Sequence, residues 1–386
     1  MDAALHAVLE RLHQRIAREA ALRGSLSREA FAARREEFML AIGEDSGRFL
    51  NLLAKAAGRR AILEVGTAVG YSTLWLADAA RETGGRVTSL DVHAGKQAEA
   101  LANLREAGLA ERVELIAADA VEAIAGLPGP FDLVLLDATR ELLIPCFEAL
   151  RHKLGEGALV LADNMTWPEP AAAQPYQAHV RMAPGWQSLT LPIGNGLELS
   201  RRVPTREAGA MEPGLQGVLY RLRALAAEAP EPRLDEPATR LLHLLALAME
   251  ARQMLELGTG AGQATVWLAE AARQLGGRVT TLDADPERHR ALEAHLAAAG
   301  LGPWAEAVTA PPAEALRDLP GPFALVCVDA AQPAPAPLLA ALRERLAPGG
   351  LLVTHPHPGA AEAQPPGWEA VTVPLGPGLA LSRKPR

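Results

Sequence analysis

The sequence contains only two cysteines, Cys146 and Cys327, among its 386 residues. Two cysteines cannot build the disulfide framework of a small secreted domain, and neither has a second cysteine or a histidine at the spacing of a metal site. We therefore expect a cytoplasmic protein in a reducing compartment, in which both thiols are buried as small apolar side chains.

An excess of positive charge is also missing. The formal net charge is −8, and lysine and arginine form no stripe along the chain. A nucleic acid or an anionic membrane surface is therefore not an expected partner.

Long apolar runs are absent as well. Near the N-terminus, Leu5, Val8, Leu9, Leu12 and Ile16 recur at helical spacing with charged residues between them. This pattern predicts an amphipathic helix rather than a signal peptide or a membrane span. Aromatic residues make up only 4% of the chain, so they say little about a substrate pocket.

The chain does contain an internal repeat. The segment AILEVGTAVGYSTLWLADAARETGGRVTSLD at 61–91 returns as QMLELGTGAGQATVWLAEAARQLGGRVTTLD at 253–283. Gly66 thus corresponds to Gly258 at an offset of 192. Such self-similarity over a whole segment predicts two tandem domains that arose by duplication.

The two domains are expected at residues 1–202 and 215–386, with a linker rich in proline, glycine and alanine at 203–214. The N-terminal helix matches its counterpart at an offset of 210 rather than 192, so the first copy carries 18 extra residues, around 24–42. This insertion fits either a lid over a ligand or a longer surface helix.

Each copy alternates apolar strands with helix-sized segments. ILEVG, RVTSLD, FDLVLLD and ALVLADN are short apolar runs typical of buried parallel strands. The first copy closes with two alternating runs around Gly194, Asn195 and Gly196, which predicts an antiparallel hairpin. The predicted fold class is α/β, with a mixed sheet and helices on both of its faces in each domain.

A glycine turn follows the first strand of the repeat. Gly66 would let the backbone approach a ligand closely, beside the free N–H groups at the start of the next helix. Asp91 ends the second strand and could accept hydrogen bonds from both hydroxyls of a ribose. The spacing E-x-G-x-x-x-G differs from the dinucleotide fingerprint G-x-G-x-x-G, which argues against an NAD(P) oxidoreductase and for another adenosine cofactor.

Oxygen-bearing side chains follow two further strands. Asp137 ends FDLVLLD, and Asp163 and Asn164 end ALVLADN. Neighbouring strand ends lie within reach of each other, and two carboxylates with an amide oxygen suit a hard divalent cation such as Mg²⁺. The alternative is that Asp163 and Asn164 only cap a turn.

Together these motifs resemble the cation-dependent O-methyltransferases, the group of catechol and caffeoyl-coenzyme A O-methyltransferases and their bacterial relatives. The glutamate before the glycine turn is similar to motif I of class I methyltransferases that use S-adenosylmethionine (SAM). The likeness covers roughly Met39 to Arg202 and rests on several separated motifs in order: Gly66-Thr67, Tyr71-Ser72, Asp91, Asp119-Ala120, Asp137-Ala138 and Asp163-Asn164.

The resemblance implies a role for each matched residue. The implied cofactor-binding residues are Glu64, Gly66, Thr67, Tyr71, Ser72, Asp91, Asp119 and Ala120. Among them, Glu64, Gly66 and Ser72 would hold the methionine part of SAM. Asp91 would hold the ribose, and Asp119 with Ala120 would line the adenine. The implied metal ligands are Asp137, Asp163 and Asn164.

The resemblance further implies a seven-stranded Rossmann-like sheet and an O-methyltransferase reaction. The cation would chelate two vicinal oxygens of a small dihydroxy-aromatic acceptor, lower the pKa of one hydroxyl, and direct it at the sulfonium methyl group. The family usually has a lysine three residues after the first metal aspartate, where this chain has Arg140. Arginine keeps its proton at pH 7, but it could stabilise a developing phenolate. Asp137 and Arg140 are therefore the candidate catalytic residues.

The second copy retains the cofactor turn, but of the acidic cluster it keeps only the first position, as Asp329. The retained residues are Glu256, Gly258, Thr259 and Asp283. Asp163-Asn164 is replaced by His355-Pro356, and Gln332 stands where the first copy has Arg140. A lone histidine is a poor magnesium ligand set. An exposed loop is the favoured interpretation of His355-Pro356, and a zinc-type site that includes His357 is the alternative.

We therefore interpret the second copy as degenerate. Family members commonly pair as dimers, so a fused inactive copy would form an internal pseudo-dimer, with a further homodimer left open.

Another hypothesis is that the whole protein is a catalytically inactive, SAM-binding regulatory or scaffold protein. Arg140 and the altered second copy favour it, whereas the intact acidic cluster of the first copy argues against it.

Two aromatic residues, Trp167 and Tyr176, follow the acidic cluster. Either could stack on an aromatic acceptor, and ordinary loop packing is the alternative.

Overall fold

A computed structural model describes residues 2–204, 211–227, 234–329, 334–355, 365, 367–376 and 378–386. The chain divides into two compact units, Met1–Arg202 and Val203–Arg386. In the predicted linker, residues 205–210 lie outside the described residues, and the last positions, from Pro213 onward, already belong to a helix.

The first unit contains seven strands and eight α-helices in its described part. The strands are β1 (Ala61–Val65), β2 (Arg86–Asp91), β3 (Val113–Ala117), β4 (Phe131–Leu136), β5 (Leu154–Ala162), β6 (Trp186–Leu191) and β7 (Leu197–Arg202). The helices are α1 (Ala3–Gly24), α2 (Arg28–Ala33), α3 (Glu44–Ala56), α4 (Tyr71–Thr83), α5 (Ala94–Glu106), α6 (Ala120–Gly126), α7 (Arg140–Leu150) and α8 (Pro170–Met182).

The seven strands form one mixed sheet in the order β3-β2-β1-β4-β5-β7-β6. Strands β1 to β5 pair in parallel, whereas β7 lies antiparallel between β5 and β6. The predicted α/β fold class and its closing hairpin are thereby confirmed. In the central strand, Glu64 pairs with Ser89 of β2 and Leu135 of β4, so the last residues of β1 are enclosed on both sides.

The core follows from the near-continuous apolar strands. Leu133, Val134, Leu135 and Leu136 of β4 are all fully buried, as expected when helices cover both faces of a parallel sheet. Each such side chain stabilises the fold by roughly 1.5–3 kcal/mol relative to exposure. On one side, α3, α4 and α5 pack with α1, and on the other α6, α7 and α8 pack together.

Local signals fix the ends of several helices. Asp2 caps α1 by accepting a hydrogen bond from Leu5 N, and Asp119 caps α6 in the same manner. Gly84, in the left-handed conformation, ends α4. The inserted residues around 24–42 form the end of α1, the short α2, and a 3-10 helix at Arg35–Glu37.

The second unit repeats this architecture. Its strands are β8 (Gln253–Leu257), β9 (Arg278–Asp283), β10 (Ala305–Thr309), β11 (Phe323–Val328), β12 (Leu346–Thr354), β13 (Glu369–Val373) and β14 (Leu379–Arg383). Its helices are α9 (Pro213–Ala227), α10 (Glu236–Ala248), α11 (Gln263–Leu275), α12 (Pro286–Ala298), α13 (Pro312–Asp318) and α14 (Ala336–Arg345). The sheet order is β10-β9-β8-β11-β12-β14-β13, the same as in the first unit.

Across the described parts of both units, no helix combines the length and the apolarity needed to cross a membrane. Cys146 and Cys327 are both free and buried, as the sequence predicts.

Candidate cofactor and acceptor site

The carboxyl ends of β1, β2, β4 and β5 meet at one edge of the first sheet. In an open parallel sheet this edge is where ligands bind, because the loops there leave backbone groups free. The four strand ends carry Gly66, Asp91, Asp137 and Asp163, all of which the sequence predicts as site residues. The fold therefore brings the cofactor turn and the acidic residues to the same edge.

The glycine turn lies directly against the end of β4. Gly66 has a φ of +105°, and its N–H donates to the carbonyl oxygen of Leu90 at 2.8 Å. A Cβ atom at this position would lie 2.0 Å from the carbonyl oxygen of Asp137. Only glycine allows this conformation and this close approach. A molecule held by the turn is thus placed beside Asp137.

Glu64 is a buried carboxylic acid at the end of β1. It accepts hydrogen bonds from Thr73 Oγ1 and Ser89 Oγ, each at 2.5 Å. Burial raises the pKa of Glu64 to about 7, although these hydroxyls and that of Ser72 act to lower it. A positively charged group bound nearby would stabilise the ionised form, and the ammonium and sulfonium groups of SAM are such charges.

Thr67 and Tyr71 use their side chains within the protein. Thr67 Oγ1 lies 2.6 Å from Ser89 Oγ and accepts from Gln97 Nε2 at 3.2 Å. The hydroxyl of Tyr71 lies 2.7 Å from Nε2 of His13 in α1, and burial raises its pKa. These two predicted cofactor residues therefore shape the turn and fix α1 against α4, and their hydroxyls have partners already.

Asp91 remains able to bind a ribose. Its Oδ2 accepts from Ala68 N and its Oδ1 from His93 N, both at 2.8 Å. Each carboxylate oxygen can accept a second hydrogen bond, so the two backbone bonds orient the group without exhausting it. A ligand with two neighbouring hydroxyls could therefore donate one hydrogen bond to each oxygen.

Asp119 and Ala120 lie where β3 passes into α6. Asp119 Oδ1 accepts from the N–H groups of Val121 and Glu122 at 2.9 and 3.1 Å. Asp119 is exposed, whereas Ala120 is buried against the core. The capping role accounts for one oxygen of Asp119 and leaves its other oxygen for a ligand.

The predicted metal ligands lie together at the ends of β4 and β5. Asn164 Nδ2 donates to Asp137 Oδ1 at 3.2 Å, and Asn164 Oδ1 accepts from Asn195 Nδ2 at 3.2 Å. Asn164 has a φ of +68°, a left-handed conformation that asparagine tolerates better than most residues. Asp163 is buried beside them.

The two carboxyl groups are poorly compensated by the protein. Burial raises the pKa of Asp163 to about 7, and its Oδ1 has no hydrogen-bond partner among the described residues. Burial also raises the pKa of Asp137, and the negative charges of Asp163 and Glu64 raise it further. A divalent cation would neutralise this pair and satisfy the free oxygen, so the residues fit a hard cation.

The ligand set is small. In the described part of the chain, no group of three or more histidine, cysteine, aspartate or glutamate side chains is arranged to hold a metal ion. Asp137, Asp163 and Asn164 would supply two carboxylates and one amide, and Mg²⁺ commonly completes its shell with water and substrate oxygens.

Arg140 binds the loop that carries two of these residues. We call residues 163–167 the acidic loop. A terminal nitrogen of Arg140 donates to the carbonyl oxygens of Asn164 and Trp167 at 3.3 and 3.5 Å. Its guanidinium thus lies at the acidic loop, where it places a positive charge and holds the backbone.

Asn195 contacts the acidic loop, although sequence reasoning did not select it as a site residue. Besides its bond to Asn164, its carbonyl oxygen accepts from Thr166 N at 2.8 Å and Trp167 N at 3.2 Å. The signal was present in the sequence as the Gly194-Asn195-Gly196 turn, which we interpreted only as a hairpin. The turn in fact holds the acidic loop through these hydrogen bonds.

The two aromatic residues considered for acceptor stacking differ in their exposure. Tyr176 is only 2% exposed and packs edge-on against Phe147 in the core, so of its two alternatives the structure supports packing rather than stacking on an acceptor. Trp167 is 44% exposed at the end of the acidic loop. It remains the candidate for an aromatic wall.

The cofactor positions of the second unit differ in their partners. Asp283 accepts from Thr259 N at 3.0 Å and also pairs with Arg288 at 3.3 Å, an ion pair within its own domain. Pro311 occupies the N-cap of α13, where the first unit has Asp119 at the start of α6. Glu256 is buried like Glu64, and burial raises its pKa to about 8.

The acidic position of the second unit is filled by a histidine. His355 Nε2 lies 3.3 Å from Asp329 Oδ1, and its Nδ1 lies 3.2 Å from the carbonyl oxygen of Gly378. His355 is buried, so the prediction that it belongs to an exposed loop is wrong. Pro356, His357 and Gln332 lie outside the described residues.

The sheet order with its antiparallel seventh strand, together with the glycine turn after the central strand, is that expected of a SAM-dependent methyltransferase. A family model described as "Methyltransferase domain" matches residues 63–165 and 255–356. The chain therefore belongs to this methyltransferase-domain family and carries the domain twice. The resemblance drawn from the sequence motifs is confirmed.

Two similar proteins are catechol O-methyltransferases by name. The chain is 38% identical over 127 residues to that of Mycobacterium tuberculosis and 32% identical over 130 residues to that of Niastella koreensis. Each match covers 33% of this chain, and 57% and 58% of the relative. The chain thus spans less than two thirds of the length of these curated relatives.

Solved structures give similar matches. Cofactor-bound Rv0187 from MTB is 30% identical, with a TM-score of 0.42, and the match covers 52% of this chain and 90% of that one. An O-methyltransferase from Bacillus cereus in complex with SAH is 24% identical, with a TM-score of 0.41, and covers 52% and 91%.

Proposed function

We propose that the protein is a SAM-dependent and divalent-metal-dependent O-methyltransferase, with catalysis in the N-terminal half. The observation that carries this proposal is the contact between the Gly66 turn and the end of β4. A Cβ atom on Gly66 would lie 2.0 Å from the Asp137 carbonyl oxygen, so the cofactor turn adjoins the acidic pair. A methyl donor on one and an acceptor on the other would be neighbours.

The cofactor would be held by polar groups of three strand ends. Glu64 would face the charged methionine part, and its raised pKa indicates that the protein alone does not stabilise its ionised form. Asp91, oriented by Ala68 N and His93 N, would accept from the ribose hydroxyls. Asp119 and Ala120 would border the adenine.

Asp137, Asp163 and Asn164 would hold the cation. When bound there, a divalent cation lowers the pKa of an acceptor hydroxyl and orients it. Asn195 fixes Asn164 through its side chain and holds the acidic loop through its backbone. Arg140 adds a fixed positive charge on the same loop, where a phenolate would develop. Because arginine does not release its proton, Arg140 serves as a positioning and electrostatic group rather than a base.

A small vicinal dihydroxy-aromatic compound is the proposed acceptor. Two neighbouring hydroxyls match a site with few protein ligands, because they would supply the missing oxygens of the cation shell. The half-exposed Trp167 offers a flat apolar face beside the acidic loop. The names of the curated relatives from M. tuberculosis and N. koreensis agree with a catechol.

The second half is proposed to be catalytically silent. His355 takes the position next to Asp329 that Asp163 takes next to Asp137, and Arg288 pairs with the carboxylate that corresponds to Asp91. The internal pseudo-dimer, a further homodimer and the cytoplasmic compartment remain predictions. The two free, buried cysteines support the compartment.

The proposal is tested by measuring methyl transfer to catechol. The assay compares the wild-type protein with and without a chelator, and the wild type with Asp163→Ala. We expect chelation and the substitution each to reduce the rate by about 100-fold or more, because a cation contributes several kcal/mol at the reacting oxygen. Binding of S-adenosylhomocysteine (SAH) should survive within about twofold, since Asp163 is not a proposed cofactor ligand.

The matched control is His355→Ala, which changes the corresponding position of the second half and should leave the rate unchanged. An undiminished rate in Asp163→Ala would sink the metal assignment. SAH binding without transfer to any catechol by the wild-type protein would favour the inactive regulatory or scaffold protein instead.

A further inference from the structure

The insertion of the first half contains a weakly held segment, residues 25–37, which we call the arm. It comprises α2 and the 3-10 helix at Arg35–Glu37. None of its described side chains is buried, and only a few, Phe31 among them, are half-buried. The second half has no equivalent at this place in its sequence. A segment without buried side chains gains little from the hydrophobic effect, so specific contacts must hold it.

The arm is anchored firmly at its C-terminal end. Phe38 and Met39 are 3% and 1% exposed. Lys96 Nζ donates to the carbonyl oxygen of Phe38 at 3.1 Å, and Met39 N donates to Glu19 Oε2 at 2.6 Å. Burial and charge-assisted hydrogen bonds fix this point, which can therefore act as a hinge for the exposed residues before it.

The middle of the arm is held by a stack of three side chains. The guanidinium carbon of Arg23 lies 4.8 Å from the ring centroid of Phe31 in the arm and 4.3 Å from that of Trp167 in the acidic loop. Phe31 also packs edge-on against Phe38 at 5.2 Å. Arg23 is thus shared by two aromatic rings, and both contacts are cation–π interactions.

Trp167 connects this stack to the acidic loop. Its carbonyl oxygen accepts from Arg140 at 3.5 Å, and its N–H donates to Asn195 O at 3.2 Å. Arg140 and Asn195 therefore hold the backbone of Trp167, whereas Arg23, which also contacts Phe31 of the arm, packs on its indole ring. Arg35 of the arm is close enough for its charge to act on Asp137.

We propose that Arg23 is a positioning residue for the methyl acceptor, which it serves by fastening the arm to Trp167 over the acceptor side of the site. The inference rests on the proposed function. Each cation–π contact at a partly exposed site is weak. The fastening is therefore reversible, so the arm can release an acceptor and close again about its hinge.

Three variants separate this role from general packing. Arg23→Met keeps most of the side-chain volume but removes the charge, and Arg23→Lys keeps the charge. Arg48→Met is the matched control, because Arg48 lies over Trp75 at 5.8 Å in the same half but outside the site. We expect Arg23→Met to raise the KM for catechol about fivefold or more, since it removes two weak cation–π contacts, with kcat and SAH affinity within about twofold. Arg23→Lys should recover most of the loss, and Arg48→Met should show none.

Protease cleavage gives a second readout that does not need catalysis. Glu36 and Glu37 lie in the arm, so cleavage there by a glutamate-specific protease reports how often the arm opens. We expect Arg23→Met to be cleaved several-fold faster than wild type, and Arg48→Met at the wild-type rate. Mg²⁺ with catechol and SAH should slow cleavage of the wild type.

The outcomes distinguish the two proposals. Equal cleavage of Arg23→Met and wild type, or a fall in kcat with unchanged KM, would overturn the role of Arg23. Faster cleavage of Arg23→Met in a protein whose wild type transfers no methyl group would support the fastening of the arm and reject the proposed function, and with it the acceptor.

Discussion

The two halves share one sheet order but treat their buried acids differently. In the first half, one oxygen of Asp163 has no hydrogen-bond partner among the residues that the structure describes, and its carboxyl group adjoins that of Asp137. In the second half, Asp329 has His355 at 3.3 Å, and Asp283 has Arg288 at 3.3 Å. The first half leaves the charges of its acidic pair for a ligand to compensate. In the second half, the protein's own side chains compensate Asp329 and Asp283.

This difference teaches which features the fold itself requires. Both halves keep a left-handed glycine at the start of the helix after the central strand, Gly70 before α4 and Gly262 before α11, and a buried glutamate at the end of that strand. The features that differ are those a ligand would need: the acidic loop, the acid at the start of α6, and the arm. A duplicated domain that loses its ligands can keep its core, because the core residues are separate from the strand ends.

The largest expected effect comes from filling the contact between the turn and β4. Gly66→Ala would place a methyl group 2.0 Å from a backbone oxygen at a φ of +105°. We expect a loss of stability of about 3 kcal/mol or more, and loss of SAH binding. Gly108→Ala is the control, since Gly108 has a φ of +67° but, in the described part of the chain, no neighbouring atom within 4 Å of the added carbon. It should cost only about 1–2 kcal/mol in calorimetric unfolding. Equal losses in the two variants would show that the close approach is unimportant.

The buried glutamates give a pH-dependent prediction. Glu64 has its pKa raised by burial from 4.5 to about 7 in the folded protein. The folded state therefore binds the proton more tightly than the unfolded state, so Glu64 favours folding most below pH 4.5 and loses this contribution as the pH rises to 7. The loss is about 3 kcal/mol, from 1.36 kcal/mol per pKa unit.

Glu64→Gln mimics the protonated form and should remove this dependence. Relative to wild type, the variant should gain stability between pH 5 and pH 8 in unfolding experiments, yet bind SAH at least tenfold more weakly. Glu256→Gln should show a similar gain, because the pKa of Glu256 is raised to about 8, without any loss of SAH affinity. A loss of affinity in Glu256→Gln would contradict the silent second half.

Asp91 and Asp283, the corresponding aspartates of the two halves, should differ in their contribution to SAH affinity. Asp91→Ala is expected to weaken SAH binding by about 10- to 100-fold, the scale of hydrogen bonds to a charged group. Asp283→Ala should leave SAH affinity within about twofold, because Asp283 is already paired with Arg288. Fluorescence titration of both variants checks this, and an equal effect of the two substitutions would erase the distinction between the halves.

Arg140 should have a moderate effect on rate. Arg140→Ala removes two hydrogen bonds to the acidic loop that are long, at 3.3 and 3.5 Å, and one fixed charge. We expect kcat to fall about tenfold, with no change in the pH dependence of the rate, because the guanidinium keeps its proton. A shifted pH–rate profile in the variant would mean that Arg140 controls a proton transfer after all.

The smallest effect concerns a single residue of the turn. Ala68 has a φ of +44°, whereas the corresponding Gly260 has a φ of +55°. Ala68→Gly should therefore stabilise the first half by about 0.5–1 kcal/mol, and Gly260→Ala should destabilise the second by a similar amount. Chemical unfolding of the two variants measures both changes, and a destabilised Ala68→Gly would mean that the methyl group packs favourably.

Much of the fold could be predicted because its signals are local. Apolar runs, the glycine turn and the Gly194-Asn195-Gly196 hairpin are read directly from adjacent residues. The exchange of Asp163 for His355 was visible too. The roles of Glu64, Asp91 and the acidic cluster remain predictions, although the strand order brings these residues to one edge.

What the sequence could not give depends on contacts between distant residues. Tyr176 looked like a loop residue, but α8 packs it into the core. His355 looked exposed because proline follows it, yet Asp329 and Gly378 enclose it. The stack of Arg23 on Trp167 joins positions far apart in the chain, and no spacing rule indicates it.

The asymmetry of the two halves is tested most directly by a calorimetric titration of the whole chain with SAH. We expect one site per chain, whose affinity falls about 10- to 100-fold in Asp91→Ala and stays within about twofold in Asp283→Ala. Two sites per chain, or a single site that disappears in Asp283→Ala, would contradict it.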